Sequence, residues 1–356
     1  MALTIELLLS PRRRRGDFFA LISPKIFLKA QQENFRVQTW VVIVAVLLFA
    51  IKVIAYLITH SVAILTDALE STVNVIAGFI GLYSLYVAAK PRDEDHPYGH
   101  GKAEFLSAGV EGTLILVAGL IIVYTAVKNL IEPPVIEQLD RGIILVAGTA
   151  LINFIVGTIC VRKGKQNNSL ALIASGKHLQ SDTWSTVGLI IGLGLILWTG
   201  KVWLDSAVAI VFAIILVITG YKIIRTSVAG IMDEVDKDLL TRMVKLLNEN
   251  RRENWIDLHN LRVIKYGGQL HVDCHLTLPW YLNLLEAHDE TDALREIIKK
   301  EFGDSIEMFV HVDPCLDFSC SICHKENCGE RLKPFEKNVE WTLENSLSNR
   351  KHSLVV

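Results

Sequence analysis

Between Thr39 and Arg225 the chain runs in apolar blocks separated by short polar stretches. A helix needs about 20 residues to cross a hydrocarbon core roughly 30 Å thick, and the blocks are long enough to do so. The pattern predicts six membrane helices, over 38–58, 62–89, 105–131, 142–161, 171–198 and 203–224. The first, fourth and sixth read as apolar nearly all round. The second, third and fifth carry polar residues and are expected to face one another or a wet cavity. After Met232 the pattern changes. Leu239, Leu240, Met243, Leu246 and Leu247 have helical spacing within 236–250. Residues 257–266 and 269–278 alternate as strands, joined by Gly267-Gly268, a two-residue hairpin signal. In the second strand Leu270, Val272, Cys274, Leu276 and Leu278 form the apolar face, and His271, Asp273, His275 and Thr277 the polar one. A helix over 284–302 and a strand over 305–312 follow, with Ile306, Met308, Val310 and Val312 expected to face in. The order α-β-β-α-β in about 80 residues predicts a small α+β domain.

Four segments result: an N-terminal segment 1–37, a membrane domain 38–232, a soluble domain 233–314 and a polar tail 315–356. Composition agrees with a membrane protein, with 51% hydrophobic residues among 356 and a mean hydropathy of +0.36. A net charge of −2 gives no sign of a nucleic-acid partner. The lone basic run, Arg12 to Arg15, suits the cytoplasmic flank of a first membrane helix, and no signal peptide is expected. Lys90, Arg92 and Lys102 occupy one loop, and Arg162, Lys163 and Lys165 another. The intervening loops hold only Arg141 and Lys201. This alternation predicts that both termini are cytoplasmic.

The apolar second block contains Asp67, Glu70 and Asn74. Glu70 and Asn74 are four apart and share one helix face, as do His178 and Asp182 in the fifth block. An ionised acid at a bilayer centre costs about 2.5–3.5 kcal/mol on insertion scales. A divalent cation held by three oxygens and one imidazole would offset that cost. The alternative is that the four groups hydrogen-bond one another and lock helix packing. Asp67 suits a packing hydrogen bond, and Asp205 an N-cap.

The loop "PRDEDHPYGHGKAE" (Pro91 to Glu104), with "TDALE" before it and "HLQSD" and "HVDP" after it, closely resembles the cation diffusion facilitator family of divalent-metal efflux transporters. The resemblance spans residues 35 to about 315. It implies a six-helix transmembrane domain, a cytoplasmic ferredoxin-like domain, a homodimer, and exchange of metal for protons. Carried onto this chain, it implies a transport site of Glu70, Asn74, His178 and Asp182. It implies a loop site of Asp93, His96 and His100, for which solvated side chains remain the alternative. It implies a cytoplasmic-domain site of His259, His275, His288, His311 and Asp313, expected to join two protomers and report cytoplasmic metal. The family usually has His or Asp where Glu70 stands and Asp where Asn74 stands. Three oxygens and one nitrogen suit Fe²⁺ or Mn²⁺ at least as well as Zn²⁺, which favours nitrogen and sulfur.

Cys315, Cys320, Cys323 and Cys328 cluster in the tail, spaced C-x4-C-x2-C-x4-C. In a reducing cytoplasm such a cluster suits a thiolate metal site or free thiols, not disulfides. Cys160 and Cys274 are expected in packing. The expected function is proton-coupled efflux of a divalent transition metal, Zn²⁺ or Fe²⁺ first, with Mn²⁺ and Co²⁺ also possible. The metal would be substrate and regulatory ligand, no organic cofactor is expected, and the bilayer is the plasma (inner) membrane. His178, with an ordinary pKa near 6.5, is the expected proton carrier. A non-transporting membrane metal sensor is the alternative. No HExxH-type motif points to a metalloenzyme.

Overall fold

The computed structural model describes residues 16–59, 62–132, 142–199, 203–303 and 306–354. Among the described residues, six long helices precede Met232: α1 (Gly16–Thr59), α2 (Val62–Ala88), α3 (Ala103–Ile131), α4 (Gly142–Gln166), α5 (Leu170–Thr199) and α6 (Trp203–Ile231). Helix α1 begins at Gly16 rather than at 38, so residues 16–37 of the expected N-terminal segment are helical. Among the described residues, three stretches are long and apolar enough to span a membrane alone: Ala30–Ile54, Ala103–Ile131 and Ser206–Ile231, with a shorter apolar stretch over Asn74–Ala88. Their outer faces expose Leu47, Leu120, Ile121, Ile214 and Ile218, side chains that suit lipid and not water.

Helices in lipid gain no hydrophobic energy from contact, so small residues and polar ties hold them together. A Cβ on Gly157 would stand 2.8 Å from the Gly176 carbonyl oxygen, and one on Gly176 would stand 2.7 Å from the Gly157 carbonyl oxygen. Backbone meets backbone there, joining α4 to α5. Gly112 and Gly220 do the same for α3 and α6. Polar ties complete the packing. Gln38 Nε2 donates to the Gly78 carbonyl at 3.2 Å and to Ser175 Oγ at 3.1 Å, linking α1 to α2 and α5. The first helix is therefore not apolar all round: Gln38 is fully buried, and Lys52 is 5% exposed. Periodicity missed both because two polar residues barely dent the mean of a 21-residue apolar run.

Asp233–Val356 belong to a second compact unit. Helix α7 (Lys237–Glu249) starts where Asp236 accepts a hydrogen bond from the Leu239 N–H at 2.9 Å. Strand β1 (Asp257–Tyr266) turns at Gly267, whose φ of 59° is the left-handed conformation glycine adopts without strain. It pairs antiparallel with β2 (Gln269–Leu278). Helix α8 (Leu284–Phe302), capped by Asn283 and Glu286, carries the chain to β3 (Ile306–Pro314). β3 pairs with β2 in parallel, giving the order β1-β2-β3. The apolar face of β2 is buried as expected. Ile306 and Met308 face in, but Val312 is 38% exposed. β3 also runs two residues beyond the expected end, which brings Asp313 into the sheet. The segment after β3 is folded onto this unit. Trp341 lies in its core at 1% exposure, and the Arg251 guanidinium stacks on the Trp341 ring at 4.2 Å. A short helix α9 (Leu343–Leu347) follows.

Two outcomes follow from this packing. Gly176→Ala should lower the melting temperature of the detergent-solubilised protein, since overpacking costs about 1–3 kcal/mol. Gly148→Ala, with open space around it, should leave melting unchanged. Equal melting of both variants would contradict the close approach. Burial raises the Asp236 carboxyl, but Lys265 and the Leu239 N–H outweigh it and hold it below the usual 3.8. A depressed carboxylate stabilises fully above its unfolded pKa and loses that contribution as pH falls through the folded value. Asp236→Asn keeps the cap, so it should destabilise at neutral pH and converge with wild type below about pH 3.8, as urea melts across pH would reveal.

Candidate metal sites

In the helical unit α2 and α5 bring Asn74, His178 and Asp182 together. The Asn74 amide nitrogen donates to Asp182 Oδ2 at 2.5 Å, and Asn74 Oδ1 lies 2.9 Å from His178 Nε2. A carboxylate only accepts, so the bond to Asp182 fixes the amide's orientation and leaves its oxygen facing the imidazole. That oxygen also only accepts, so a hydrogen bond between the two requires the hydrogen on Nε2. The ring is 7% exposed, and its Nδ1 is buried with no hydrogen-bond partner among the described residues. The side chains of Glu70, Asp67 and Asp205 lie outside the described residues.

Sequence reasoning overlooked three groups nearby. Lys52 Nζ on α1 donates to Ser71 Oγ at 2.8 Å and lines a small cavity with Asn74 and Asn153. Glu111 on α3, 1% exposed, accepts from Ser175 Oγ at 2.6 Å. Glu104, also buried, accepts from Ser169 Oγ. The signal was available, because a charge inside an apolar run is costly enough to imply a partner. Of the three helices expected to face one another, Glu111 with Ser175 joins α3 to α5, and Asn74 with His178 and Asp182 joins α2 to α5.

The loop between α2 and α3 gathers Asp93, His96 and His100. Asp93 Oδ1 accepts from the His96 N–H at 2.7 Å, and His100 Nε2 lies 3.3 Å from Asp93 Oδ2. One donor atom from each of the three lies within 4.8 Å of the others. Asp93 and His96 are exposed.

The second cluster of this kind is His259, His275 and Asp313, and strand register builds it. His259 sits opposite His275, and His275 opposite His311, so three imidazoles form a row across the sheet. The register shift after His259, with Asn260 at φ 52°, marks a bulge beside the site. Asp313 Oδ2 lies 3.1 Å from His275 Nδ1 and 3.4 Å from His259 Nε2. His311 is at the rim: its ring centroid lies 4.6 Å from that of His275, and its Nε2 3.8 Å from Asp313 Oδ1. His288 is not brought to the cluster. It lies on α8, exposed, 3.5 Å from Asp292 on the same helix face. His271, on the same face of β2 as His275, turns to Glu307 at 3.0 Å.

Three further residues complete this site. Asp257 Oδ2 lies 3.2 Å from His259 Nδ1 and accepts from the His352 N–H at 2.9 Å. Burial raises the Asp257 carboxyl, but the His259 and His352 rings outweigh it and hold it far below the usual range. Lys351 Nζ stands 3.4 Å from Asp313 Oδ1. Asp257 was legible, since it is two residues from His259 on one strand face. Lys351 and His352 were not, because only chain reversal brings the C-terminus to β1.

The four tail cysteines line one cavity of about 40 Å³ together with Trp280, Tyr281 and Arg331. Cys160 and Cys274 are buried in packing, as expected, and burial pushes the Cys274 thiol up to about 12.

Residues 39–232 match the cation efflux transmembrane domain, and residues 235–315 the cation efflux protein cytoplasmic domain. An uncharacterized transporter of Synechocystis sp. is 34% identical over 75% of this chain and 86% of its own length. The manganese efflux system protein MneP of Bacillus subtilis is 26% identical over 80% of this chain and 97% of its own. The cation-efflux pump FieF of Shewanella oneidensis is 27% identical over 76% and 90%. A helical transmembrane domain followed by a cytoplasmic α+β domain thus carries both family domains in order, and the chain belongs to the cation diffusion facilitator family of divalent-metal efflux transporters.

Proposed function

We propose that the chain exports a divalent transition metal from the cytoplasm in exchange for protons, with Asn74, His178 and Asp182 as described ligands and Glu70 as the fourth. The observation that supports this reading is the convergence of the Asn74 amide, the buried His178 ring and the Asp182 carboxylate within an apolar helical unit. With a hydrogen on Nε2, that atom has no lone pair to offer a cation. A cation that takes Nε2 needs the ring neutral with its hydrogen on Nδ1, so a ring that starts as imidazolium releases one proton as the ion binds, which couples the two fluxes. Asp182 must likewise turn from the Asn74 amide to the ion. All six helices span the bilayer on this reading, with both termini in the cytoplasm and the bilayer a plasma (inner) membrane.

Three oxygens and one nitrogen suit Fe²⁺ and Mn²⁺ as well as Zn²⁺. The names of two relatives, manganese efflux proteins of Bacillus subtilis, support including Mn²⁺. Asn74 in place of an acid leaves the site one negative charge short, which favours release over tight binding. The cytoplasmic unit forms the contact of a homodimer and holds a regulatory metal at His259, His275 and Asp313, with His311 at its rim. Asp93, His96 and His100 hold a further ion at the loop.

Flux into proteoliposomes tests the reading. Gradient-dependent uptake of Zn²⁺, Fe²⁺, Mn²⁺ or Co²⁺ is expected for wild type. Asp182→Ala should lose more than tenfold, since truncating one partner of a buried charged set costs about 2 kcal/mol or more. Metal binding without flux of any ion would leave a membrane metal sensor instead. Asn74→Asp, which adds a carboxylate, should tighten ion binding and slow release. Asp313→Ala should remove one bound metal per chain while flux at saturating ion persists; loss of flux with unchanged stoichiometry would contradict the division between transport and regulatory sites.

A further inference from the structure

We propose that Cys315, Cys320, Cys323 and Cys328 form a tetrathiolate site for a zinc-class cation on the cytoplasmic unit, distinct from the transport and histidine sites. The family's cytoplasmic domain match ends at residue 315, so three of the four cysteines lie beyond it. Four of the chain's six cysteines fall within 14 residues. All are free thiols, and all line the same cavity, which none of the clustered histidines borders.

The cavity is a built feature. The Cys315 N–H donates to the Leu278 carbonyl at 2.8 Å, extending the β2–β3 ladder by one residue. A 3₁₀ turn over Asp317–Ser321 follows, and the Cys323 N–H reaches the Cys320 carbonyl at 3.4 Å. The pair C-x2-C thus sits on a tight turn, the usual half of a zinc site. Arg331 clamps the loop, donating to the carbonyls of Cys320, Cys323 and Lys325 at 3.0, 3.1 and 2.6 Å. Ile322 and Cys323 anchor it against Ile256. Packing accounts for Cys323, which is buried, but not for Cys320 and Cys328, which remain half-buried at the cavity. Tyr281 Oη lies 3.6 Å from Cys328 Sγ, a second hydrogen-bonding group beside the thiols.

Four sulfur donors select Zn²⁺ over the harder ions that suit the intramembrane set. A zinc tetrathiolate carries a net charge of about −2, and the Arg331 guanidinium lies beside it. The sulfurs are not gathered within 4.8 Å of one another, as the donors of the other two clusters are, so a cation would draw them inward across the cavity. His324 does not line it.

Cobalt and zinc titrations of the reduced full-length protein in detergent test the site without reference to transport. With Co²⁺, wild type should show a thiolate-to-metal charge-transfer band in the near ultraviolet, and Zn²⁺ should abolish it. The Asp313→Ala variant should keep the band. The quadruple variant C315S/C320S/C323S/C328S should lose it and bind one Zn²⁺ fewer per chain. If that variant folds poorly, C320S/C328S replaces it and should also lose the band. Absence of the band in wild type, or equal zinc stoichiometry in wild type and a folded variant, would overturn the proposal.

Discussion

A polar side chain inside a bilayer has no water to fall back on, and that constraint organises the helical unit. Backbone groups are satisfied within each helix, so the burden falls on side chains. Helix α5 carries most of it. Ser175, His178 and Asp182 follow one another at helical spacing and share a face. From that face Ser175 meets Gln38 and Glu111, while His178 and Asp182 meet Asn74. Three helices are thereby tied to one, and on the proposed reading the tie is also where a cation is held.

The cytoplasmic unit meets its own constraint through strand register. A strand slipped by one residue sends every side chain to the opposite face. The apolar residues of β2 fill the core, and that requirement alone fixes which face His275 occupies. Its lateral neighbours, His259 and His311, then arrive through the pairing on either side. The imidazole row is a consequence of core packing on the other face of the sheet. Asp257, His352 and Lys351 gather at this row. Asp257 meets His259, Lys351 meets Asp313, and His352 holds Asp257 in turn, contacts that orient the rings.

The donor sets of this chain grade from hard to soft. Carboxylate and amide oxygens with one imidazole lie within the helical unit, imidazoles with carboxylates in the sheet, and thiols after β3. Hardness matching gives each a different preferred ion. A transporter that handles one metal and senses another can separate the two tasks by donor chemistry.

Much of this was legible along the chain. Helical spacing paired His178 with Asp182, and strand alternation placed the apolar face of β2. The loop motif from Pro91 to Glu104 pointed to Asp93, His96 and His100, which the fold does gather. What escaped were long-range partners: Lys52 with Ser71, Glu111 with Ser175, and His352 with Asp257. His288 was expected in the cluster and stands on α8 instead. Spacing reports which residues share a face of one element, because a helix or strand repeats its geometry locally. It does not report which face meets which. The chain alone therefore determined the elements, their polar faces and the chemical types of the donors. Only tertiary structure decided which donors converge, because convergence depends on glycine contacts, strand register and chain reversal that bring distant residues within a few ångströms.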